Sequence, residues 1–172
     1  MAERVPLLII SGPVGVGKTT TGEEVSAQLV DRAAHTFIDF DALAGTFPRQ
    51  PGDRFGLSLA MKNLRDVWRN CSEAGSRNLI LPYVIESEAD RDAIAGCIPG
   101  ADVFLVQLTA SIETLEARLR KREIGTSFEK GLARATELVE ILDTAPADLR
   151  VTTDDRTVPE LASELTGRVD WA

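Results

Sequence analysis

Short apolar runs alternate along the chain with longer stretches whose apolar residues recur every three or four positions. Val5-Pro6-Leu7-Leu8-Ile9-Ile10 opens the pattern, and Asp102-Val103-Phe104-Leu105-Val106-Gln107-Leu108 is its strongest run. Runs without polar alternation read as strands covered on both faces. They predict strands at about 5–10, 36–39, 78–85, 102–108 and 149–153. Helical periodicity falls between them, at about 18–32, 54–73, 88–96, 111–122, 128–143 and 158–168. In the second of these helices Leu57, Met61, Leu64 and Trp68 form one stripe, so Trp68 reads as core. Ser111 is placed to cap the fourth helix, and Pro159 to start the last. Pro82 is awkward for a central strand, because it cannot donate to a ladder. Helices between successive strands imply an α/β fold with a parallel, doubly wound sheet. In such a sheet ligands bind at the carboxyl ends of the strands.

The turn after the first strand carries chemistry. Gly12-Pro13-Val14-Gly15-Val16-Gly17-Lys18-Thr19 fits G-x-x-x-x-G-K-[ST], between a predicted strand and a predicted helix. Glycine at 12, 15 and 17 lets the backbone take positive φ and approach an anion closely. The amides of such a turn and the helix dipole converge on a phosphate. The expected nucleotide-binding set is Gly12, Pro13, Val14, Gly15, Val16, Gly17, Lys18, Thr19 and Thr20. Lys18 reaches the β- and γ-oxygens in this reading, and the Thr19 hydroxyl joins the shell of Mg²⁺.

Two further clusters are expected at the same crevice. Asp39-Phe40-Asp41 ends the second strand, and alternation puts both aspartates on one side of an extended segment. One carboxylate would serve the metal and the other the hydroxyl of a substrate. The alternative is a loop of solvated aspartates, one capping the segment that follows. Arg118 and Arg122 are four apart and share a helix face, with Ile112, Leu115 and Leu119 as the buried stripe. Guanidinium groups delivered over phosphates stabilise a transferring phosphoryl group. Arg120 is expected to face solvent. The polar stretch Glu123-Ile124-Gly125-Thr126-Ser127 reads as a hinge, and Arg134 is a second candidate from the same lid.

With 172 residues the whole chain, 1–172, is expected to be one domain, with a lid at about 120–132. A net charge of −8 argues against nucleic acid as a partner, while a local basic site can still take a small anion. Cys71 and Cys97 form no CxxC pair and His35 is the single histidine, so no structural zinc is expected. His35 reads as a surface loop residue. The first apolar run is too short for a signal-peptide core or a membrane span, and a cytoplasmic protein is expected.

The phosphate-loop motif through Thr20, the Asp39-Phe40-Asp41 step and the Leu115–Arg122 helix after Val106-Gln107-Leu108 together resemble the P-loop small-molecule kinases, the group of shikimate, gluconate and nucleoside monophosphate kinases. Val151-Thr152-Thr153-Asp154 is similar to that family's adenine-side loop. The resemblance implies a P-loop NTPase fold with strand order 2-3-1-4-5, and ATP and Mg²⁺ as cofactors. It implies Asp39 near the metal, Asp41 at the acceptor, and Arg118 and Arg122 as lid arginines acting in catalysis with Lys18. The chain departs from the shikimate kinases after its third strand, where Leu81-Pro82-Tyr83-Val84-Ile85-Glu86-Ser87 lacks their glycine-rich motif. Arg49 and Arg54 lie where a substrate anion could be gripped, and Glu86 ends the third strand toward the crevice.

These readings lead to an ATP-dependent phosphotransferase acting on a hydroxyl of a small molecule, with no membrane partner and an oligomeric state left open. Two other functions fit parts of the chain. A nucleotide switch or slow ATPase acting through a protein partner is one, although N-K-x-D is absent and D-x-x-G is not found at its expected place. A kinase for a nucleic-acid end is the other, and the acidic balance opposes it.

Overall fold

The computed structural model describes residues 4–53, 55–123, 125–169 and 171. Five strands form one parallel sheet in the order β2-β3-β1-β4-β5. They are β1 (Val5–Ser11), β2 (His35–Phe37), β3 (Asn78–Pro82), β4 (Ala101–Thr109) and β5 (Leu149–Thr152). The helices are α1 (Lys18–Leu29), α2 (Leu57–Glu73), α3 (Glu88–Ala95), α4 (Ile112–Arg122), α5 (Thr126–Asp143) and α6 (Val158–Arg168). Among the described residues no helix is long and apolar enough to cross a membrane.

The apolar runs are buried on both faces because each face carries its own core. Leu8 and Ile10 of β1 face one way, into a cluster with Val25, Leu115 and Leu165 from α1, α4 and α6. Leu7 and Ile9 face the other way, toward Leu64, Trp68 and Ile94 from α2 and α3. Trp68 is therefore core, as its stripe predicts. Leu138 and Leu142 of α5 make a smaller cluster with Ala145, against Val14 of the phosphate loop and Val84.

Pro82 stands in β3 without disrupting it. Tyr83 N–H donates to Ile10 O of β1, so the Pro82 nitrogen faces the β2 side. β2 has already ended at Phe37, which pairs with Ile80, so no ladder bond is lost. The strand stops there rather than running to 85. Gly22, inside α1, lets that helix close on the sheet: a Cβ there would meet the Phe37 ring at 2.8 Å.

Two expectations are corrected. The residues after β2 do not continue extended, but form a short 3-10 helix over Phe40–Ala44. His35 is not a loop residue; it opens β2, half-buried, with Nε2 2.8 Å from Ser26 Oγ and Nδ1 2.8 Å from Ala33 O. The span 120–132, expected as a lid, takes in the end of α4 and the start of α5.

Candidate active site

β1 delivers the chain to the carboxyl edge of the sheet, where the phosphate loop turns back toward α1. Gly12, Gly15 and Gly17 have φ of +146°, +85° and +102°. A Cβ on Gly12 would stand 2.6 Å from the Leu108 carbonyl oxygen, so only glycine lets the loop pack on β4. α1 begins after Gly17, which has no side chain to cap the first-turn amides. A helix start without a cap leaves N–H groups and the positive dipole end for an anion.

Lys18 folds back over this loop, and its Nζ donates to Gly12 O at 2.9 Å and Pro13 O at 3.0 Å. Burial of the ammonium lowers its pKa to about 8; Asp41 and Asp39 raise it, and Arg122 lowers it. Those mutual effects place Lys18, Asp39, Asp41 and Arg122 in one electrostatic neighbourhood.

Asp39 does two things at once. Its Oδ1 accepts from Asp41 N–H at 3.1 Å and caps the 3-10 turn, while Oδ2 lies 3.4 Å from the Thr19 hydroxyl. Phe40 is buried, its ring centroid 4.2 Å from that of Tyr83. The turn thus brings both aspartates to the crevice by a route other than strand alternation. Asp41 keeps access to solvent, yet partial burial and then Asp39 push its pKa up, with Lys18 pulling it down.

The two α4 arginines part company. Arg118 Nη1 donates to Val16 O at 3.0 Å and Thr153 Oγ1 at 2.8 Å, and Nη2 to Thr153 O at 3.0 Å. It is clamped between the phosphate loop and the turn after β5. Arg122 pairs with Glu123 at 2.7 Å and acts on Lys18. Both border a cleft of about 260 Å³ that runs past Gly17 and Thr20 to Thr153 and Arg156. The buried Thr21 hydroxyl, also in this wall, has no hydrogen-bond partner among the described residues. Arg120 points away, pairing with Glu116 at 2.5 Å and lying over Phe128.

The segment after β3 lies against the same loop, because Ile85 N–H donates to the hydroxyl of Ser11 at 3.0 Å, one residue before Gly12. Glu86 forms an ion pair with Arg134 of α5, which also bonds Glu137 at 2.8 Å. Burial pushes the Tyr83 phenol up to about 12, with Asp41, Asp90 and Glu86 adding to it. Sequence reasoning passed over Tyr83; an aromatic one residue beyond a strand's carboxyl end was the available signal. Arg49 does not reach into the crevice as a free grip: it donates to Ala44 O and lies over Phe47 at 4.6 Å. Arg54 lies outside the described residues.

The residues fit a nucleoside triphosphate and a magnesium ion. The uncapped helix start and Lys18 suit phosphates, and the cleft past Thr20 has room beyond them. Thr19 and Asp39 offer the hard oxygen donors that magnesium takes.

The tunicamycin resistance protein of Deinococcus radiodurans is 19% identical, with a TM-score of 0.59, covering 98% of each chain. A gluconokinase from Sinorhizobium meliloti 1021 is 18% identical, with a TM-score of 0.64, over 96% of this chain and 92% of its own. The APS kinase CysC of Mycobacterium tuberculosis, in complex with AMPPNP and APS, is 22% identical, with a TM-score of 0.57, over 95% and 96%. At these identities the likeness is one of fold, and that fold is the P-loop small-molecule kinase fold. No curated protein matches the sequence. The family model described as an AAA domain matches residues 8–135, from within β1 through the phosphate loop, the aspartate turn and α4 into α5, and the chain belongs to that family.

Proposed function

We propose that this protein is an ATP-dependent kinase that moves the γ-phosphoryl group to a hydroxyl of a small molecule. The observation that carries the reading is the meeting of Lys18, Thr19, Asp39 and Asp41 at one crevice, from two separate strand ends. A plain nucleotide switch has no need of Asp41, a carboxylate with raised pKa beside the phosphate loop. The APS kinase neighbour, a complex with AMPPNP, supports an adenine nucleotide here.

In this reading the loop amides and Lys18 hold the β- and γ-phosphates and neutralise charge as it builds. Thr19 and Asp39 would hold magnesium, which supplies further neutralisation of those phosphates. Arg122 adds a guanidinium from the Lys18 side. Arg118, committed to Val16 and Thr153, lies toward the base end and is assigned to nucleotide positioning rather than to the phosphoryl group. Asp41 accepts the proton of the acceptor hydroxyl. That oxygen bonds to the γ-phosphorus as the bond to the β–γ bridging oxygen breaks, and ADP leaves.

The test is ADP formation with Mg²⁺-ATP over a panel of sugars, sugar acids, nucleosides and hydroxylated antibiotics, with Lys18→Ala alongside. Acceptor-dependent ADP in the wild type alone is the expected result. ATP binding with no acceptor dependence across the panel would turn the reading to a nucleotide switch.

A further inference from the structure

The amino ends of the strands carry a second cavity, on the edge of the sheet opposite the phosphate loop. Its volume is about 470 Å³, within the range of small-molecule sites. Arg4 enters it from just before β1 and Arg77 from just before β3, while Arg65 and Arg69 come from α2. Among the described residues that line it there is no carboxylate. Trp68 and Cys97, both buried, give it an apolar floor.

This is a concentration of positive charge on a chain whose net charge is −8. Arg65 and Arg69 are four apart on α2, on the face that also holds Trp68, and like charges at that spacing destabilise a helix. Ion pairs relieve only part of the charge. Arg4 pairs with Asp102, and Arg69 with Asp66 at 2.9 Å. The second pair is exposed on both sides, and such pairs hold weakly. Arg77 donates to neutral carbonyls, Ser72 O at 3.3 Å and Ser76 O at 3.0 Å. Arg65 has no ion pair or hydrogen bond among the described residues. Its charge is felt at the floor: burial pushes the Cys97 thiol up, and Arg65 pulls it down. The negative end of α2 does not need these arginines. Asn70 O, Cys71 O and Ser72 O accept from the amides of Ala74, Ser76 and Gly75. Glu3, beside Arg4 in sequence, lies outside the described residues, and one more carboxylate would still leave the four guanidiniums in excess of their acids.

We propose that this cavity binds a small organic anion with an apolar body. Arg65 and Arg77 hold the acidic head, and the body lies on the Trp68–Cys97 floor. Guanidinium forks match the oxygens of a carboxylate or a phosphate, and the floor rewards apolar area that an inorganic ion lacks. The cavity stands at the other edge of the sheet from Lys18 and Asp41, so its occupancy is independent of the kinase reading above.

Four probes separate head from body: 1-naphthyl phosphate, 1-naphthoate, neutral 1-naphthalenemethanol and inorganic phosphate. Each is titrated calorimetrically into the full chain in the presence of Mg²⁺-AMPPNP, added to fill the phosphate loop. At least one naphthyl anion should bind at one site per chain, about tenfold or more tighter than the alcohol and than inorganic phosphate, the scale of a charge-assisted hydrogen bond. Whichever anion is tighter tells a phosphate ester from a carboxylate as the preferred head.

The double variant Arg65→Gln, Arg77→Gln should weaken that anion by about tenfold or more. The double variant Arg65→Lys, Arg77→Lys keeps the charge and should lose less. Circular dichroism, unchanged in both, checks their fold. Lys18→Ala, titrated without nucleotide, should bind the anion as the wild type does. The proposal is overturned by no saturable binding of either anion, by equal binding of the alcohol, by full binding in the glutamine variant, or by loss of binding in Lys18→Ala, which would return the anion to the phosphate loop.

Discussion

Oδ2 of Asp39 stands 3.4 Å from the hydroxyl of Thr19. The two residues belong to different strand–helix units, one opening α1 and the other closing the exit from β2. They meet because β1 and β2 flank β3 in a parallel sheet and all three point the same way. Asp39 spends its other oxygen on the Asp41 amide, so the same residue shapes the turn and presents a ligand atom.

Thr19→Ala and Asp39→Asn should each raise the Mg²⁺ concentration for half-maximal activity by about tenfold, the usual scale for loss of one supporting metal contact. Magnesium titration of ADP release at fixed ATP measures this. Asp39→Asn keeps an oxygen for the turn, so circular dichroism should be unchanged.

Asp41→Asn should lower kcat by about 10²- to 10⁴-fold, the range for removal of a general base. The folded pKa of Asp41 is raised, so the proton-accepting form is present above that pKa and lost as pH falls through it. The acid limb of the kcat profile should therefore lie above the ordinary carboxylate range, and disappear in the variant. The sign for stability is the reverse. Above both pKa values the folded state carries an unfavourable charge, so Asp41→Asn should melt at the same temperature or higher at pH 7.

Lys18 carries its charge below about 8 in the free protein and loses it above. A bound triphosphate favours the charged form, so nucleotide affinity should hold up to pH 7.5 and weaken about tenfold by pH 9. Lys18→Met should bind weakly throughout and show no such decline. Equilibrium binding of a fluorescent ATP analogue across this range makes the comparison.

Arg118→Ala and Arg122→Ala should separate in their kinetics. Arg118 holds Val16 and Thr153 together by three hydrogen bonds, so its loss should raise the KM for ATP and lower thermal stability. Truncating such a charged donor costs about 1–3 kcal/mol. Arg122 is largely exposed and near Lys18, so its removal should lower kcat by about tenfold or more with the melting temperature unchanged. Steady-state kinetics and thermal melts on both variants check the split.

Much of the frame was legible because it rests on local chemistry. The apolar runs at 5–10 and 102–108 could only be covered strands, and the Gly12–Thr19 pattern needs a strand before it and a helix after it. Other features rest on contacts that leave no local mark. Gly22 sits inside a helical stretch, where its value depends on a Phe37 ring arriving from β2 at 2.8 Å. Tyr83 gains its place from Phe40, more than forty residues earlier. His35 looks like a loop residue until Ser26 and Ala33 hold it at the head of β2.

The pair Arg118 and Arg122 marks the boundary most clearly. Spacing of four residues on one helix puts them on one face, and the sequence alone determines that much. Which groups they meet is a tertiary matter: Arg118 is taken by Thr153, beyond another helix and strand, and Arg122 is left near Lys18. The sequence likewise determined the alternation of elements, the phosphate loop and the candidate aspartates. The assembled sheet alone decided that Asp39 caps a 3-10 turn and that Glu86 binds Arg134. Helix and strand periodicity act over a few residues of one chain segment. Charge and hydrogen-bond partnerships act across space, between segments that only the folded sheet brings together.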